Sequence, residues 1–572
     1  MKATDHITQA LVGHGVTHVF EMVGGMITHL IDSIAADGRI QLVSMHHEQG
    51  AAFAADGYGR ISGVPGVALA TSGPGATNLI TGIGSCYFDS VPAVFITGQV
   101  NRHELRGDRG VRQLGFQETD IVPMVRPVTK HAIRVDDPLL LPVHVRDAFA
   151  LAQAGRPGPV LVDIPMDVQR ADIPAPLFVQ AVDIETPNVR EVELFWQKVR
   201  EAKRPLILVG GGIRSALAQP LLEECVGLAG VPVVHSLMGV DCLPSVNQLR
   251  IGMIGSYGNR WANLALAEAD ALVVLGSRLD VRQTGSDPAA FAGQRLILHV
   301  DCDPSEVGNR VRADVKIIAD LRGFLRESRE CLRNNPIRVD PAWIAAIASL
   351  RIANPEHLEC QVAAGVINPN KLMHAISLVS SQATAVSVDV GQHQMWAAQS
   401  WHMSPGQRFI TSGGMGSMGY ALPAAIGAYF AKPGHPVVVV AGDGGFQCNI
   451  QELQTIRRGN LPIKMVVVNN HCHGMVRQFQ ESYFDKRYCS TVDGYSAPDF
   501  VKVAQAYGIE AKRIEYDHEL AAALVWLWAD PEQPALLEVE LPVETNVYPK
   551  LAFGRGFPAM EPDAKPVEME GT

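Results

Sequence analysis

The chain has 572 residues, too many for one hydrophobic core, and at about 150 residues per unit it should fold as three or four. It is 47% hydrophobic and only 6% aromatic, which excludes a disordered chain and suits a packed α/β protein. A net charge of −11, with no long Lys/Arg block, argues against nucleic acid or an anionic membrane as partner. Nine cysteines fall without CxxC spacing and read as thiols in a reducing compartment. Segment 1–11 lacks the apolar core of a signal peptide and no later stretch resembles a membrane span, so a cytoplasmic location is expected.

In chain order, apolar runs at 41–44, 67–70, 94–97 and 160–164 alternate with helix-length segments, the pattern of a largely parallel sheet covered on both faces. Pro174 and Pro176 mark an exit linker at 172–177. A second unit opens near Pro205. Its run 206–209 ends in Gly210-Gly211-Gly212, 271–275 ends in Gly276, and 296–300 ends in Asp301. After a helical connector containing Asn368-Pro369, a third unit shows strand-like runs at 385–390, 437–441 and 465–469. The expected fold is α/β, with three doubly wound or Rossmann-like domains at 1–175, 190–330 and 365–545 and a covering tail at 546–572. Domains one and three are candidates for a shared topology.

The third unit carries the most chemistry. Four valines, 437–440, deliver Gly442, Asp443, Gly444 and Gly445 at a strand end, where open α/β sheets bind ligands. The glycines let backbone N–H groups approach an anion, and Asp443 offers a hard carboxylate oxygen. A helix start at 450–456 and a further strand lead to Asn469-Asn470. That strand–helix–strand spacing returns Asn470 beside Asp443, so carboxylate, amide and backbone oxygens can join phosphate oxygens around Mg²⁺. Taken singly, Gly-Asp-Gly also makes a turn and Asn-Asn also caps a helix.

Over almost its whole length the sequence resembles the acetohydroxyacid (acetolactate) synthase branch of the thiamine-diphosphate enzymes. The motifs are GDGGFQCNIQEL from Gly442, VVVNN ending at Asn470, Gly474-Met475-Val476, DVGQHQMWAAQ from Asp389, GGMGSMGYALP from Gly413, HEQGAAF from His47 and TSGPGATN from Thr71. The resemblance implies thiamine diphosphate and Mg²⁺, the metal held by Asp443, Asn470 and the backbone carbonyl of Cys472, where synthases commonly carry His. It places Gly25, Gly442, Gly444, Gly445, Gly474, Met475 and Val476 at the cofactor and Gln392 and His393 near its diphosphate. The Gly416 carbonyl would accept its amino group and Met418 would support its bent centre. Read alone, His393 is a structural histidine and Met418 is core packing.

Glu48 follows the run 41–44 and the pair His46-His47. The resemblance makes it the carboxyl that hydrogen-bonds the aminopyrimidine, a task that needs proton sharing in an apolar pocket. An acid at a helix start is the ordinary alternative. Because the family joins the Glu48 and Asp443 domains across a subunit interface, a homodimer or dimer-based homotetramer is implied, with room for a small regulatory subunit.

Phe116 and Gln117 match landmarks near the second substrate, Phe116 as a cover and Gln117 as a polar contact. The preceding connection, 101–115, is longer than in the usual synthase and carries Arg102, His103, Arg106, Arg109 and Arg112, either an anion receiver or a solvated loop. Segments 210–212, 252–255, 275–285 and 299–303 resemble an FAD-binding region. This implies FAD contacts at Gly211, Arg278, Arg282, Asp301 and Asp303, with Arg282 also orienting the acceptor carboxylate. Glu48, Gln117, Phe116, Met418 and Arg282 are the implied catalytic residues. The implied reaction decarboxylates pyruvate and adds the two-carbon unit to a carbonyl acceptor, a second 2-ketoacid. Phe479 replaces a common tryptophan, and Glu21 and Val23 break the usual Phe-Gly-Tyr-Pro-Gly-Gly. These departures keep open a different ketone or aldehyde acceptor, such as a keto-sugar. A noncatalytic cofactor-binding protein is the remaining reading.

Overall fold

The computed structural model describes residues 1–174, 187–556 and 558–567. From residue 175 onward the expected exit linker lies outside the described residues, as does the tail beyond 567.

The apolar runs form strands, and they gather into three six-stranded sheets. The first contains β1 (His18–Met22), β2 (Gln41–Ser44), β3 (Gly66–Ala70), β4 (Ala93–Gln99), β5 (His131–Arg134) and β6 (Pro159–Pro165), in the order β2-β1-β3-β4-β6-β5. The second contains β7 (Pro205–Val209), β8 (Val233–His235), β9 (Arg250–Met253), β10 (Ala271–Leu275), β11 (Leu296–Asp301) and β12 (Val315–Ile318), ordered β12-β11-β10-β7-β8-β9. This is the nucleotide-binding order that reverses at its centre, between β7 and β10. The third contains β13 (Ala385–Val388), β14 (Arg408–Ile410), β15 (Val437–Gly442), β16 (Ile463–Asn469), β17 (Glu510–Ile514) and β18 (Ala535–Glu540), ordered β14-β13-β15-β16-β18-β17. Counted within each unit, the first and third sheets share one strand order. Every pairing in the three sheets is parallel, as buried α/β sheets require.

The first and third units share one hydrophobic core, in which Phe53, Ala54 and Tyr58 pack with Tyr420, Ala424 and Phe446. The helix Glu48–Ser62 lies against the helix Ala421–Ala431, and small side chains let the backbones approach. A Cβ on Gly57 would sit 2.1 Å from the Ala424 carbonyl oxygen, and one on Gly427 would sit 1.8 Å from that of Ala54. Beside this seam Arg60 bonds Asp56 at 2.6 Å and Asp89 at 2.8 Å, while Tyr420 Oη donates to Asp56 at 2.6 Å. Such buried charges persist only because each is paired.

The tail is a small addition rather than a domain. Lys550–Leu551 pairs antiparallel with Met560–Glu561, and Leu551 N–H donates to the Ser256 carbonyl at 2.8 Å. Among the described residues no helix is long and apolar enough to cross a membrane.

Gly427→Ala should destabilise the fold by about 1–3 kcal/mol through overpacking, read as a lower apparent melting temperature. Gly227 lies in the helix Gln219–Ala229 with nothing within 4 Å of an added Cβ. Gly227→Ala should therefore be neutral or stabilising, by up to about 1 kcal/mol. Equal melting curves for the two variants would contradict the close-packed seam.

Candidate active site

The carboxyl ends of β13, β15 and β16 lie side by side, with Val388 opposite Val440 and Gly442 opposite Val468. They deliver Asp389, Asp443 and Asn470 to one edge of the third sheet. Asp389 is buried and accepts the backbone N–H groups of Val390, Gly419 and Ala421 at 2.8, 3.0 and 2.9 Å. Burial pushes its carboxyl up to about 6, against those N–H groups, which pull it down. The carboxylate also presses on the Gly-Asp-Gly turn, since a Cβ on Gly445 would stand 2.5 Å from Asp389 Oδ1. Asp389 thereby joins segment 413–421, with Gly416 and Met418, to the segment bearing Asp443.

Asp443 is 2% exposed and opens the short helix Asp443–Cys448. Burial pushes its carboxyl up to about 6, opposed by the Tyr495 hydroxyl, which donates to Oδ2 at 2.9 Å. Asn470 donates its amide to Gln392 Oε1 at 2.8 Å, which leaves its carbonyl oxygen as an acceptor. Gln392 Nε2 donates to the Thr545 carbonyl at 2.9 Å, fixing that relay. Between them, His471 takes a left-handed φ of 54° and turns the chain back. The Cys472 thiol is buried and directed at the Val543 carbonyl.

These residues fit a metal-bound diphosphate. One carboxylate, one amide and one backbone carbonyl are the hard oxygens that Mg²⁺ takes. Among the described residues no cluster of three His, Cys, Asp or Glu side chains competes for a metal. The turn is also a backbone cradle: a Cβ on Gly444 would meet His473 at 2.9 Å, and one on Gly474 would meet Gln392 Oε1 at 2.0 Å. His393 packs beneath Gly442, and its buried Nε2 has no partner among the described residues. Burial pushes its imidazole down to about 3, so it stays neutral.

Glu48 lies elsewhere. It is 7% exposed at the start of its helix, Oε2 accepts from Asn78 Nδ2 at 3.0 Å, and Oε1 borders Gly75. Its hydrogen bonds stay within the first unit and reach neither Asp443 nor Met418. The neighbouring residues bridge to the third unit instead. Asn449 Nδ2 donates to Gln49 Oε1 at 3.0 Å, and His46 N–H donates to Glu452 Oε1 at 3.0 Å. Gln117 adopts a φ of 62° against Gly73, and Phe116 is 78% exposed beside it. The basic connection folds around Glu118, which accepts the N–H groups of Arg106 and Leu114 at 2.7 and 2.8 Å. Arg102 pairs with Asp167 and Arg109 with its own loop carbonyls, while Arg112 has no partner among the described residues. Gly25 begins a short turn with open space above it; Val476 and Phe479 are exposed, and Met475 packs partly on the core.

The second unit opens on a cavity of about 840 Å³ lined by Gly211, Arg278, Arg282 and Asp301. Asp303 is not on its wall; it bonds Arg156 at 3.2 Å and Ser305 at 2.6 Å. The cavity also meets Asp89 of the first unit and Gly413 and Gly414 of the third.

Three family models match this arrangement in order: the N-terminal TPP binding domain of thiamine pyrophosphate enzymes over residues 1–124, the central domain over 192–328 and the C-terminal TPP binding domain over 389–539. The protein named acetolactate synthase 2, chloroplastic, from Nicotiana tabacum is 37% identical over 572 residues, covering 97% of this chain and 84% of that protein. The acetolactate synthase large subunit of Cyanidium caldarium is 36% identical over 561 residues, 95% of this chain and 94% of that one. A probable large subunit from Methanococcus aeolicus is 37% identical, covering 92% and 89%. The chain belongs to the acetolactate synthase family of thiamine pyrophosphate enzymes. Its fold class and its use of thiamine diphosphate follow from that membership.

Within this synthase-family site, Asp389, Glu452 and Tyr495 escaped the sequence reading of individual roles. Asp389 carried a signal, an acid at a strand end before glycine, as at Asp443. Glu452 and Tyr495 carried none, since their partners are distant in the chain. Glu452 is fully buried, and burial pushes its carboxyl from 4.5 to about 7, against the donors Thr455 and His46. Its raised folded value means a stability contribution present below 4.5 and lost as pH rises through about 7. Glu452→Gln should therefore melt like the parent near about pH 5 and above it near about pH 8. Parallel melting profiles across that range would count against this titration.

Proposed function

We propose that the chain is a thiamine-diphosphate- and Mg²⁺-dependent carboligase that decarboxylates pyruvate and joins the two-carbon unit to a second 2-ketoacid. Its units would be a pyrimidine-binding domain at 1–175, an FAD-binding-like domain at 190–330, a pyrophosphate-binding domain at 365–545 and a tail. The observation that supports this reading is that β15 and β16 pair side by side, so that Asp443 and Asn470 follow adjacent strand ends, in a chain similar to acetolactate synthases over nearly its whole length. When bound, thiamine diphosphate supplies the electron sink that allows a 2-ketoacid to lose CO₂.

The protein's own work is positioning and proton handling. Asp443, Asn470 and the Cys472 carbonyl would hold the cation, with Asn470 oriented by Gln392. Neutral His393 keeps its free Nε2 as a polar group beside the phosphate segment Gly442–Gly445. The Gly416 carbonyl would accept the pyrimidine amino group, and Met418 would support the cofactor's centre. Glu48 would share a proton with the pyrimidine when the cofactor is bound. Gly25, Gly474, Met475 and Val476 complete the cofactor contacts.

Glu48 bonds only within its own unit while Met418, Val476, Phe479 and Phe116 are exposed, which supports completion of the site by a second copy. A homodimer or dimer-based homotetramer would bring that copy, and relatives named as large subunits motivate a small regulatory partner. The free cysteines support action in the cytoplasm. The central cavity is of a size that binds cofactors, and Gly211, Arg278, Arg282 and Asp301 would meet FAD there, with Asp303 behind them. Arg282 would also orient the acceptor carboxylate, with Phe116 and Gln117 on the other side. A second reading, transfer to another ketone or aldehyde such as a keto-sugar, is favoured by Arg112, unpaired among the described residues, and by the exposed Phe116 four residues on.

With thiamine diphosphate, Mg²⁺, FAD and pyruvate alone, mass spectrometry should detect 2-acetolactate. Release of CO₂ without acetolactate would transfer the assignment to another acceptor. Glu48→Gln should lower turnover at least about 100-fold while cofactor binding persists; unchanged turnover would remove Glu48 from the reaction. Purified protein supplemented with FAD should keep a flavin absorbance band through gel filtration, and a colourless protein would defeat the FAD assignment.

A further inference from the structure

Asp443 is held by a residue that no sequence motif marks. Tyr495 donates its hydroxyl to Oδ2 at 2.9 Å, and no side-chain donor among the described residues reaches Oδ1. The tyrosine ring is itself fixed. Its centre lies 4.5 Å from that of His473, edge to face at 64°, and His473 N–H donates to the Thr491 carbonyl at 3.0 Å. His473 in turn stands against Gly444, leaving no room for a Cβ there. One segment, 488–495, therefore grips both arms of the metal cradle: the Asp443 carboxylate through Tyr495, and the turn after Asn470 through Thr491.

That segment is anchored to the helix Gly474–Tyr483, which leaves the same turn. Gln480 Nε2 donates to the Cys489 carbonyl at 3.0 Å, Thr491 Oγ1 donates to Gln480, and the Arg477 guanidinium lies 5.8 Å over the Tyr488 ring. A carboxylate free to rotate presents its two oxygens interchangeably. One pinned at a single oxygen presents the other in a fixed place, which is what outer-shell partners of metal ligands do.

We propose that Tyr495 is a positioning residue for the cation: by occupying Oδ2 of Asp443 it fixes the carboxylate and leaves Oδ1 as the metal-binding oxygen. The inference rests on the reading of Asp443 as a metal ligand. The opposite role, a hydroxyl that blocks the cation, predicts an effect of opposite sign.

The test uses full-length protein with thiamine diphosphate and Mn²⁺ as probe, with free Mn²⁺ followed by electron paramagnetic resonance, so that no turnover is needed. Tyr495→Phe keeps the ring and should weaken Mn²⁺ binding about 10-fold or more. Tyr488→Phe, on the same segment but without a hydroxyl contact, should bind like the parent. Asp443→Asn should lose the thiamine-diphosphate-dependent site. If Asp443→Asn loses the site but Tyr495→Phe binds as tightly as the parent, or more tightly, the positioning role is overturned while the ligand assignment stands. A Tyr488→Phe defect equal to that of Tyr495→Phe would also overturn it, by assigning the effect to the segment as a whole. Retention of the site in Asp443→Asn would sink the ligand assignment and the proposal with it.

Discussion

The close approach of the helices Glu48–Ser62 and Ala421–Ala431 is the constraint on which the rest depends. Backbone oxygens stand where Cβ atoms of Gly57 and Gly427 would be, so the two helices meet with almost no side-chain layer between them. That contact makes the first and third units one packed body with a single shared core. It also sets the angle at which two sheets of the same strand order present their ligand-binding edges. The glycines carry an entropic cost of about 0.5–1 kcal/mol each in a helix, which the dense apolar seam offsets.

The seam also positions the segment on which the thiamine ring is proposed to rest. Asp89, tied to Arg60, accepts the N–H groups of Gly413 and Gly414 at 3.0 and 2.6 Å. Asp389 then takes the N–H groups of Gly419 and Ala421 at the far end of the same segment. Two buried carboxylates thus hold a run that has little side-chain packing of its own. A third, Asp241, pairs with Arg214 at 3.1 Å and with Arg408 at 2.6 Å, linking the second unit to the others. Arg60, Asp89, Arg214, Asp241 and Arg408 all line the central cavity, whose wall is therefore also the support of segment 413–414.

Burial explains only part of what was legible in the sequence, since the buried Ala535–Glu540 was not read and the partly exposed Gln41–Ser44 was. Central strands with long valine or isoleucine runs, such as 437–440, were plain because both faces are covered, whereas the central strands His18–Met22, Val233–His235 and Ala535–Glu540 were not singled out. The return of Asn470 to the side of Asp443 was likewise readable from one strand–helix–strand spacing. The edge strand Gln41–Ser44 was readable, but the edge strand Glu510–Ile514 was not: it is largely exposed, and with one free side it needs no apolar run. The run expected at 385–390 stops at Val388 because Asp389 turns its carboxylate onto three backbone donors. Likewise, the helix start expected at 450–456 opens as a 3₁₀ turn, Ile450–Glu452, before α-helix resumes at Leu453–Gly459. Tyr495 and Glu452 act through partners 52 and 406 residues away, a separation that local pattern does not encode.

The most direct measurement is anomalous diffraction from crystals grown with thiamine diphosphate and Mn²⁺. One peak per subunit is expected among Asp443, Asn470 and the backbone oxygen of Cys472, with Glu48 of a second subunit approaching the pyrimidine. A peak away from those three oxygens, or cofactor density outside the edge formed by β13, β15 and β16, would contradict that placement.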